Sequence, residues 1–303
     1  MPVLSDGARF AFHRLWTGLV TALAIVALVD LAGPYVLDPS VLLMGDAGGG
    51  DELGRVRASL GLDQPWWTRI AHGLGALVGL VEANSYRFGT PVSDLISERW
   101  QDTVQIMAWA LGTAILGGVL VGAASARWRW VRVGVLRVWS SLLVLPAFVA
   151  AGWAASQPAV LNWGVPREIL AGVLLGLYGG IWFAQTIQAS AASERQSWHV
   201  KALRSFGMPR MTMLRAISRG VLHQALGTLD LFAAVLLTGG TVVVEFAFHI
   251  EGLGLLLLDS LLVMDIPVVR ALLAMALVGY LLVSTAILLL RGLIDPRVWI
   301  AEK

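Results

Sequence analysis

The sequence predicts an all-α polytopic membrane protein, a helical bundle with about six transmembrane helices. Of its 303 residues, 57% are hydrophobic and 14% are charged, whereas a soluble domain carries about 25% charged residues. Six apolar segments each approach the roughly 20 residues that a helix needs to cross a bilayer. These segments lack the sustained apolar/polar alternation that the strands of a membrane barrel require. A helical membrane protein is therefore expected, and a soluble fold is disfavoured.

The six apolar segments define the expected spans. They are Leu15–Leu37, Thr103–Ser125, Val138–Ser156, Ile169–Ile187, Leu226–Val244 and Val268–Leu290. The fourth contains Gly172, Gly176 and Gly180, and the second contains Gly118 and Gly122. Small residues four positions apart let neighbouring helices approach closely in lipid, so these glycines predict a packed bundle.

The first segment leaves two alternatives open. Arg9 and Arg14 precede it, as basic residues precede a cleaved secretory signal, but we favour a retained span. Asp30 lies near the outer end of this segment. An intramembrane carboxylate is a functional candidate, while a solvated helix end is the simpler interpretation.

The basic residues orient the expected bundle. Fifteen of the 22 Lys and Arg residues fall on the side that carries both termini, and the positive-inside rule places that side in the cytoplasm. We therefore expect three regions: residues 1–37 with the first span, an extracytoplasmic loop at 38–102 made of short helices and turns, and a five-helix core at 103–303. The core contains a cytoplasmic loop at 188–225.

The sequence lacks the usual motifs of an enzyme. Its only lysines are Lys201 and Lys303, and neither belongs to a Walker A phosphate loop. It has no cysteine, no His-Glu-x-x-His pair and no Gly-x-Ser-x-Gly elbow. Glu245, His249 and Glu251 could bind a divalent ion, but a solvated acidic mouth explains them as well. We expect no catalytic residue, no metal site and no cofactor bound by this chain.

The segment 188–225 combines basic residues with an apolar ridge. It contains six Lys or Arg residues against one acid, Glu194. Trp198, Ala202 and Phe206 recur at helical spacing, and Gly207 with Pro209 predicts the end of that helix. Met211, Leu214 and Ile217 predict a second short amphipathic helix. Such a helix–break–helix fits a groove on a partner or the surface of an anionic membrane.

The stretch Trp198–Arg210 resembles the EAA loop of ABC importer permeases. In that loop Glu-Ala-Ala is followed by a glycine and, about ten residues later, by Ile-x-Leu-Pro. Lys201, Ala202 and Leu203 stand at the Glu-Ala-Ala position, Gly207 stands at the glycine, and Ile217 follows ten residues on. Arg219-Gly220 replaces Leu-Pro. The acidic residue of the motif is missing, so no role of that carboxylate is transferred.

Shorter matches along the chain are similar to the dipeptide/oligopeptide/nickel branch of these permeases. Their order and spacing from Leu60 to Arg297 carry the resemblance. They are Leu60-Gly-Leu-Asp-Gln-Pro65, Gly89-Thr-Pro-Val92, Leu145-Pro146-Ala-Phe148, Val242-Val-Val-Glu245, Gly252-Leu-Gly254, Asp265-Ile-Pro-Val-Val269 and Asp295-Pro-Arg297.

The resemblance implies a type I ABC importer permease fold in a bacterial or archaeal cytoplasmic membrane. It also implies a second homologous permease subunit, two ABC ATPase subunits that carry ATP and Mg, and an extracytoplasmic solute-binding protein. The residues expected to couple to the ATPase are Trp198, Lys201, Ala202, Leu203, Arg204, Phe206, Gly207, Met208, Pro209, Arg210, Met211 and Ile217. Those expected at an outer gate or receptor contact are Glu245, Glu251, Gly252, Gly254, Asp259 and Asp265.

The outer segment Leu253–Met264 is too short to span a bilayer. It is expected to form a re-entrant or interfacial helix whose leucines pack on the bundle, while Asp259 and Asp265 face water. For the whole chain, import of peptides or similar small solutes is the expected function. The alternatives are a nickel importer permease, an exporter half or lipid-handling subunit, and a membrane scaffold without transport activity.

Overall fold

The computed structural model describes residues 12–13, 16–21, 23–25, 27–31, 38–44, 50–77, 79, 82–157, 162 and 164–294. Within these ranges the backbone is almost entirely helical, which confirms the expected all-α class. The helices from residue 39 onwards are α1 (Pro39–Met44), α2 (Gly50–Ser59), α3 (Trp66–Leu77), α4 (Val92–Arg127), α5 (Val131–Val144), α6 (Ala147–Ser156), α7 (Arg167–Gln196), α8 (Trp198–Ser205), α9 (Arg210–Val235), α10 (Thr241–Phe248), α11 (Leu253–Leu262) and α12 (Ile266–Ile294).

Four helices are long and apolar enough to cross a membrane. They are α4, α7, the run Arg210–Phe248 that joins α9 to α10, and α12. They cover the second, fourth, fifth and sixth predicted spans. In the first predicted span, residues 16–21, 23–25 and 27–31 are helical. Leu15, Ala22, Val26 and residues 32–37 lie outside the described ranges.

The third predicted span lies within a bent pair of helices, α5 and α6, which together are long and apolar enough for one broken span. Helices α5 and α6 meet at an angle of 92°. Leu145 is extended with a ψ of 123°, because a residue before proline is pushed out of the helical region. The carbonyl of Leu145 that the break frees accepts a hydrogen bond of 3.0 Å from the Tyr178 hydroxyl on α7. A break at membrane depth is tolerated when a neighbouring helix satisfies the backbone in this way.

The chain divides into two compact units, which are described separately. The first comprises residues 1–13, 104–250 and 282–303, and the second comprises residues 14–103 and 251–281. In the first unit, a buried cluster joins residues of α4 and α7 with Phe232, Leu236 and Phe248. In the second unit, a smaller cluster joins the start of α4 with α11 and α12.

Glycines of α7 bring it against α4, as the small-residue spacing predicts. A Cβ added at Gly172 would lie 2.6 Å from the Ile106 carbonyl oxygen, and one added at Gly176 would lie 2.6 Å from the Ala110 carbonyl oxygen. Side chains at these two positions would therefore force the helix backbones apart. The glycines allow the close contact on which packing in lipid depends.

We expect Gly176→Ala to destabilise the protein by about 1–3 kcal/mol, since it overpacks a backbone contact. The matched control is Gly112→Ala in α4, where an added Cβ meets no atom within 4 Å. That control should be neutral or gain up to about 1 kcal/mol from helix propensity. Thermal unfolding of the purified protein in detergent measures the difference. Equal midpoints for the two variants would contradict the proposed packing role.

The run Arg210–Phe248 contains one irregular turn. Residues Leu236–Gly240 form a π-helical turn between α9 and α10, and Gly239 within it has a φ of 149°. A positive φ of this kind is accessible to glycine because it has no Cβ. Helix α9, which precedes this turn, is regular over its 26 residues.

Candidate functional site

A helical elbow occupies the segment that the sequence singles out. We call residues 198–211 the coupling elbow. Helix α7 ends at Gln196, and Ser197 is extended, with φ −63° and ψ 149°. The Ser197 hydroxyl donates a 2.6 Å hydrogen bond to the Glu194 carbonyl and so ties down the end of α7. Helix α8 then begins at Trp198 and is anchored by Val200, which is 1% exposed.

Gly207 ends α8 as the sequence predicts. Its φ is +69°, in the left-handed region that favours glycine. The Met208 N–H donates to the Leu203 carbonyl at 3.0 Å, and the Gly207 N–H donates to the Arg204 carbonyl at 3.1 Å. These two bonds form a Schellman motif. Pro209 follows, and α9 begins at Arg210.

The coupling elbow presents apolar side chains to its surroundings. Trp198 is 86% exposed, Phe206 is 80% exposed and Met211 is 60% exposed. Unlike isolated surface leucines, three such large side chains within one turn–helix segment indicate an interaction surface. Basic side chains flank them: Lys201, Arg204 and Arg210 are all exposed. The structure therefore groups an apolar ridge with basic flanks in one continuous feature.

The remaining predicted coupling residues occupy the same feature with different exposure. Ala202, Met208 and Pro209 are exposed, whereas Leu203 is half-buried. Ile217 is also half-buried and lies two turns into α9, away from the turn at Gly207. It belongs to the helix that supports the coupling elbow rather than to its exposed ridge.

The prediction of a second short amphipathic helix after Pro209 is wrong. Helix α9 continues from Arg210 to Val235 and thus includes most of the fifth predicted span. Gly220 lies within this helix, and the Glu194 side chain packs against it, so a Cβ there would clash with the carboxylate. Glu194 also lies 3.4 Å from the His199 ring. Sequence reasoning missed this contact because it treated Glu194 only as a charge.

The base of the coupling elbow is bound to neighbouring helices. The Arg195 guanidinium donates to the Ala126 carbonyl at 2.8 Å, which joins the end of α7 to the end of α4. The Ser190 hydroxyl donates to the Gln224 side chain at 2.6 Å, which joins α7 to α9. The elbow is therefore mounted on three long helices of the first unit.

The segment Leu253–Met264, which is expected on the outer side, forms the short helix α11 (Leu253–Leu262), in agreement with its predicted length. Its first N–H, at Leu253, donates a 2.8 Å hydrogen bond to the Thr103 hydroxyl, which caps the helix. Leu253 and Leu256 are buried against Val268 and other residues of α4 and α12. Gly252 and Gly254 are buried at the start of α11, while Glu251 is exposed and Asp259 is half-buried.

Asp265 does not face water, and this expectation is wrong. It is 1% exposed and holds the loop at 85–87. Its carboxylate accepts hydrogen bonds from the Ser85 hydroxyl, from the Tyr86 N–H at 3.1 Å and from the Arg87 N–H at 3.2 Å. Three donors compensate for the desolvation that burial imposes on a carboxylate. Burial also raises the pKa of the Tyr86 phenol above its ordinary value.

Glu245 likewise does not lie at a solvated mouth. It is 0% exposed and belongs to α10, because the helix runs four residues beyond the predicted end of the fifth span. His249 and Glu251 are exposed. Among the residues that the structure describes, no group of three or more His, Asp or Glu side chains could hold a metal ion.

Asp30 is buried in an ion pair, so the interpretation as a solvated helix end is wrong. It is 4% exposed, and its Oδ1 accepts a hydrogen bond of 2.8 Å from Nη1 of Arg270 on α12. Gly73 of α3 lies directly against this pair, since a Cβ there would come within 2.4 Å of both side chains. The pair therefore links the helical residues around Asp30 to α12 and packs both against α3 within the second unit.

Comparisons with known proteins agree on one family. The model of the family "Binding-protein-dependent transport system inner membrane component" matches residues 114–300. A putative peptide transport system permease protein of Brucella suis biovar 1 is 29% identical over 86% of this chain and 89% of its own length. Glutathione transport system permease proteins of Salmonella choleraesuis and Shigella boydii serotype 4 are 28% and 26% identical, each over 96% of this chain and 98% of its own length.

Proposed function

This chain belongs to the family of binding-protein-dependent transport system inner membrane components, and on that basis we propose that it imports peptides or similar small solutes. It is a multi-pass permease component of the inner membrane, not itself an enzyme. The relatives named for peptide and glutathione transport support the substrate class, because glutathione is itself a tripeptide. The solute is delivered by an extracytoplasmic binding protein.

The coupling elbow is the observation that carries the proposed mechanism. Its exposed Trp198, Phe206 and Met211 fit a hydrophobic groove, and its basic flanks fit an acidic rim. We assign this groove to an ABC ATPase subunit that holds ATP and Mg. The complete transporter then has two such subunits and a second homologous permease. ATP-driven closure moves the coupling elbow and shifts the spans between two states.

We further propose that α11 narrows the outer mouth and meets the binding protein. Glu251 and Asp259 offer accessible carboxylates for that contact, with Gly252 and Gly254 shaping the start of the helix. Asp265 and Glu245 take no direct part, because both are buried. Asp265 instead holds the loop at 85–87.

Import in this direction requires both termini and the coupling elbow to be cytoplasmic. The native chain has no cysteine, so single cysteines report topology cleanly. An impermeant maleimide added to intact cells should leave Arg204→Cys unlabelled and should label Arg55→Cys, an exposed outer control on α2. Permeabilised cells should label both. Labelling of Arg204→Cys in intact cells would reverse the proposed orientation.

The substrate class is tested on the assembled transporter in proteoliposomes with its binding protein. Dipeptides, tripeptides and Ni²⁺ are supplied separately, and ATP hydrolysis and uptake are measured. Stimulation by peptides but not by Ni²⁺ supports the proposal. Stimulation by Ni²⁺ alone would replace it with a nickel importer, and a chain that co-purifies with no ATPase subunit would favour a scaffold.

A further inference from the structure

Two adjoining cavities in the second unit differ in chemical character. The first is an apolar groove of about 660 Å³. It lies between the N-terminal helical residues, α3, α4 and α12, and its lining includes Leu19, Leu23, Leu77, Ile96, Met275 and Val278. The second is a polar cavity of about 430 Å³ whose lining includes Gln64, Arg69, His72, Glu82, Asn84 and Tyr86. Glu82, Pro267 and Arg270 line both cavities, so the two are continuous.

The apolar groove runs along α12 from the end of the helix towards the middle of the bilayer. Pro267 lies in its first turn and Val278 lies eleven residues further on, a distance of about 16 Å along the axis. That is about half of the 30 Å hydrocarbon core, or the depth of one leaflet. The polar cavity is at the shallow end. There, the exposed Trp66 and Trp67 at the start of α3 are typical of residues at a membrane interface.

The polar cavity is lined by two opposite charges, the half-buried Arg69 and the exposed Glu82, that form no ion pair with a described side chain. Asp30 and Arg270 satisfy each other's charge. Among the described residues, the guanidinium of Arg69 forms no ion pair or hydrogen bond, and its Nε is buried. Glu82 forms no ion pair with any described side chain and stands where the two cavities join.

An acceptor for a ligand ammonium is also present. Asp30 lines the polar cavity and is 4% exposed, and its Oδ2 has no hydrogen-bond partner within the part of the chain that the structure describes. A buried carboxylate oxygen without a donor is costly. A ligand cation near Asp30 and Glu82 would relieve this cost, while a ligand anion near Arg69 would satisfy the guanidinium.

We propose that these cavities form a site for one phospholipid whose headgroup carries a phosphate and a primary ammonium, namely phosphatidylethanolamine. An acyl chain occupies the apolar groove. The phosphate accepts hydrogen bonds from Arg69, and the ammonium donates to Glu82 and lies near the buried charge of Asp30. Phosphatidylcholine has the same charges but no N–H donor, and phosphatidylglycerol has no ammonium. The site is independent of the transported solute.

The test is lipid retention by the assembled transporter. It is incorporated into nanodiscs with equal amounts of phosphatidylethanolamine, phosphatidylcholine and phosphatidylglycerol, re-extracted in mild detergent, and the retained lipids are quantified by mass spectrometry. The wild type should be enriched in phosphatidylethanolamine. Arg69→Gln should reduce its retention about tenfold, as expected for a lost charge-assisted hydrogen bond. The matched control, Arg55→Gln, alters an exposed arginine of α2 outside both cavities and should have no effect.

Two further variants separate the headgroup from the acyl chain. Glu82→Gln should remove the preference for phosphatidylethanolamine over phosphatidylcholine. Ala274→Phe, which fills the apolar groove, should lower retention of all three lipids, whereas Ala286→Phe on an exposed part of α12 should not. Equal retention of the three lipids by the wild type would overturn the proposal, as would enrichment in phosphatidylglycerol. If neither Arg69→Gln nor Ala274→Phe changes the amount of retained phospholipid, the retained lipid is ordinary annular lipid and the proposed site is wrong.

Discussion

Phe206→Ala is expected to abolish most of the substrate-stimulated ATP hydrolysis of the assembled transporter while leaving membrane insertion intact. The side chain is 80% exposed in the isolated chain, so its removal leaves no cavity. Burial of such an aromatic residue at a partner surface contributes about 2 kcal/mol or more when it is a binding hot spot. The measurement is ATP hydrolysis by the reconstituted transporter with and without loaded binding protein.

A matched phenylalanine provides the control for this prediction. Phe246 is 62% exposed but lies on α10, remote in sequence from the coupling elbow. Phe246→Ala should retain stimulated hydrolysis. Full stimulation in Phe206→Ala would contradict the ATPase contact and favour binding of the coupling elbow to the membrane surface. Binding to vesicles with and without anionic lipid would then test that interpretation.

Arg270→Met is expected to produce the largest loss of stability. It leaves Asp30, which is 4% exposed, without its cation. Removing one member of a buried ion pair costs about 3–5 kcal/mol, because the other charge stays buried. Thermal unfolding in detergent and the yield of monodisperse protein measure this effect. Arg167→Met, at an exposed arginine of α7, is the matched control and should change little.

The double variant Asp30→Leu/Arg270→Met decides whether the loss arises from the unpaired charge. Replacing both members of a buried pair by apolar residues is often neutral or stabilising. The double variant should therefore recover most of the stability that Arg270→Met loses. A double variant as unstable as the single one would show that the packing of the arginine, not its charge, matters at this position.

The sequence predicted those features that depend on neighbouring residues. Apolar segments of sufficient length gave four of the spanning helices, and Gly207 with Pro209 predicted the break in the coupling elbow because glycine can adopt the left-handed conformation. The signal for the bend after α5 was also present, since Pro146 cannot donate a backbone hydrogen bond. It was overlooked because the apolar composition continues through the proline.

The buried acidic residues could not be predicted in the same way. Asp265 binds Ser85, 180 residues earlier in the chain, and Asp30 binds Arg270, 240 residues later. No pattern of neighbouring residues can identify a hydrogen-bond partner that lies so far away along the sequence. A carboxylate next to an apolar helix is most simply read as a solvated one, and only the three-dimensional arrangement reveals the donors that make its burial possible.

The Schellman motif at Gly207 and the unbroken helix that follows have a mechanical consequence. Helix α9 extends for 26 residues, or about 39 Å. This is long enough for one rigid helix to reach from the coupling elbow across most of the bilayer. If the coupling elbow transmits motion as proposed, a force applied at Phe206 is carried along α9 to the turn at Leu236–Gly240. That turn, with Gly239 at a φ of 149°, is the flexible point between the two helices. Here α10 can move less than α9 does. On the proposed mechanism, a substitution that stiffens this turn, and not only one that truncates Phe206, would therefore change how far a movement of the coupling elbow is transmitted.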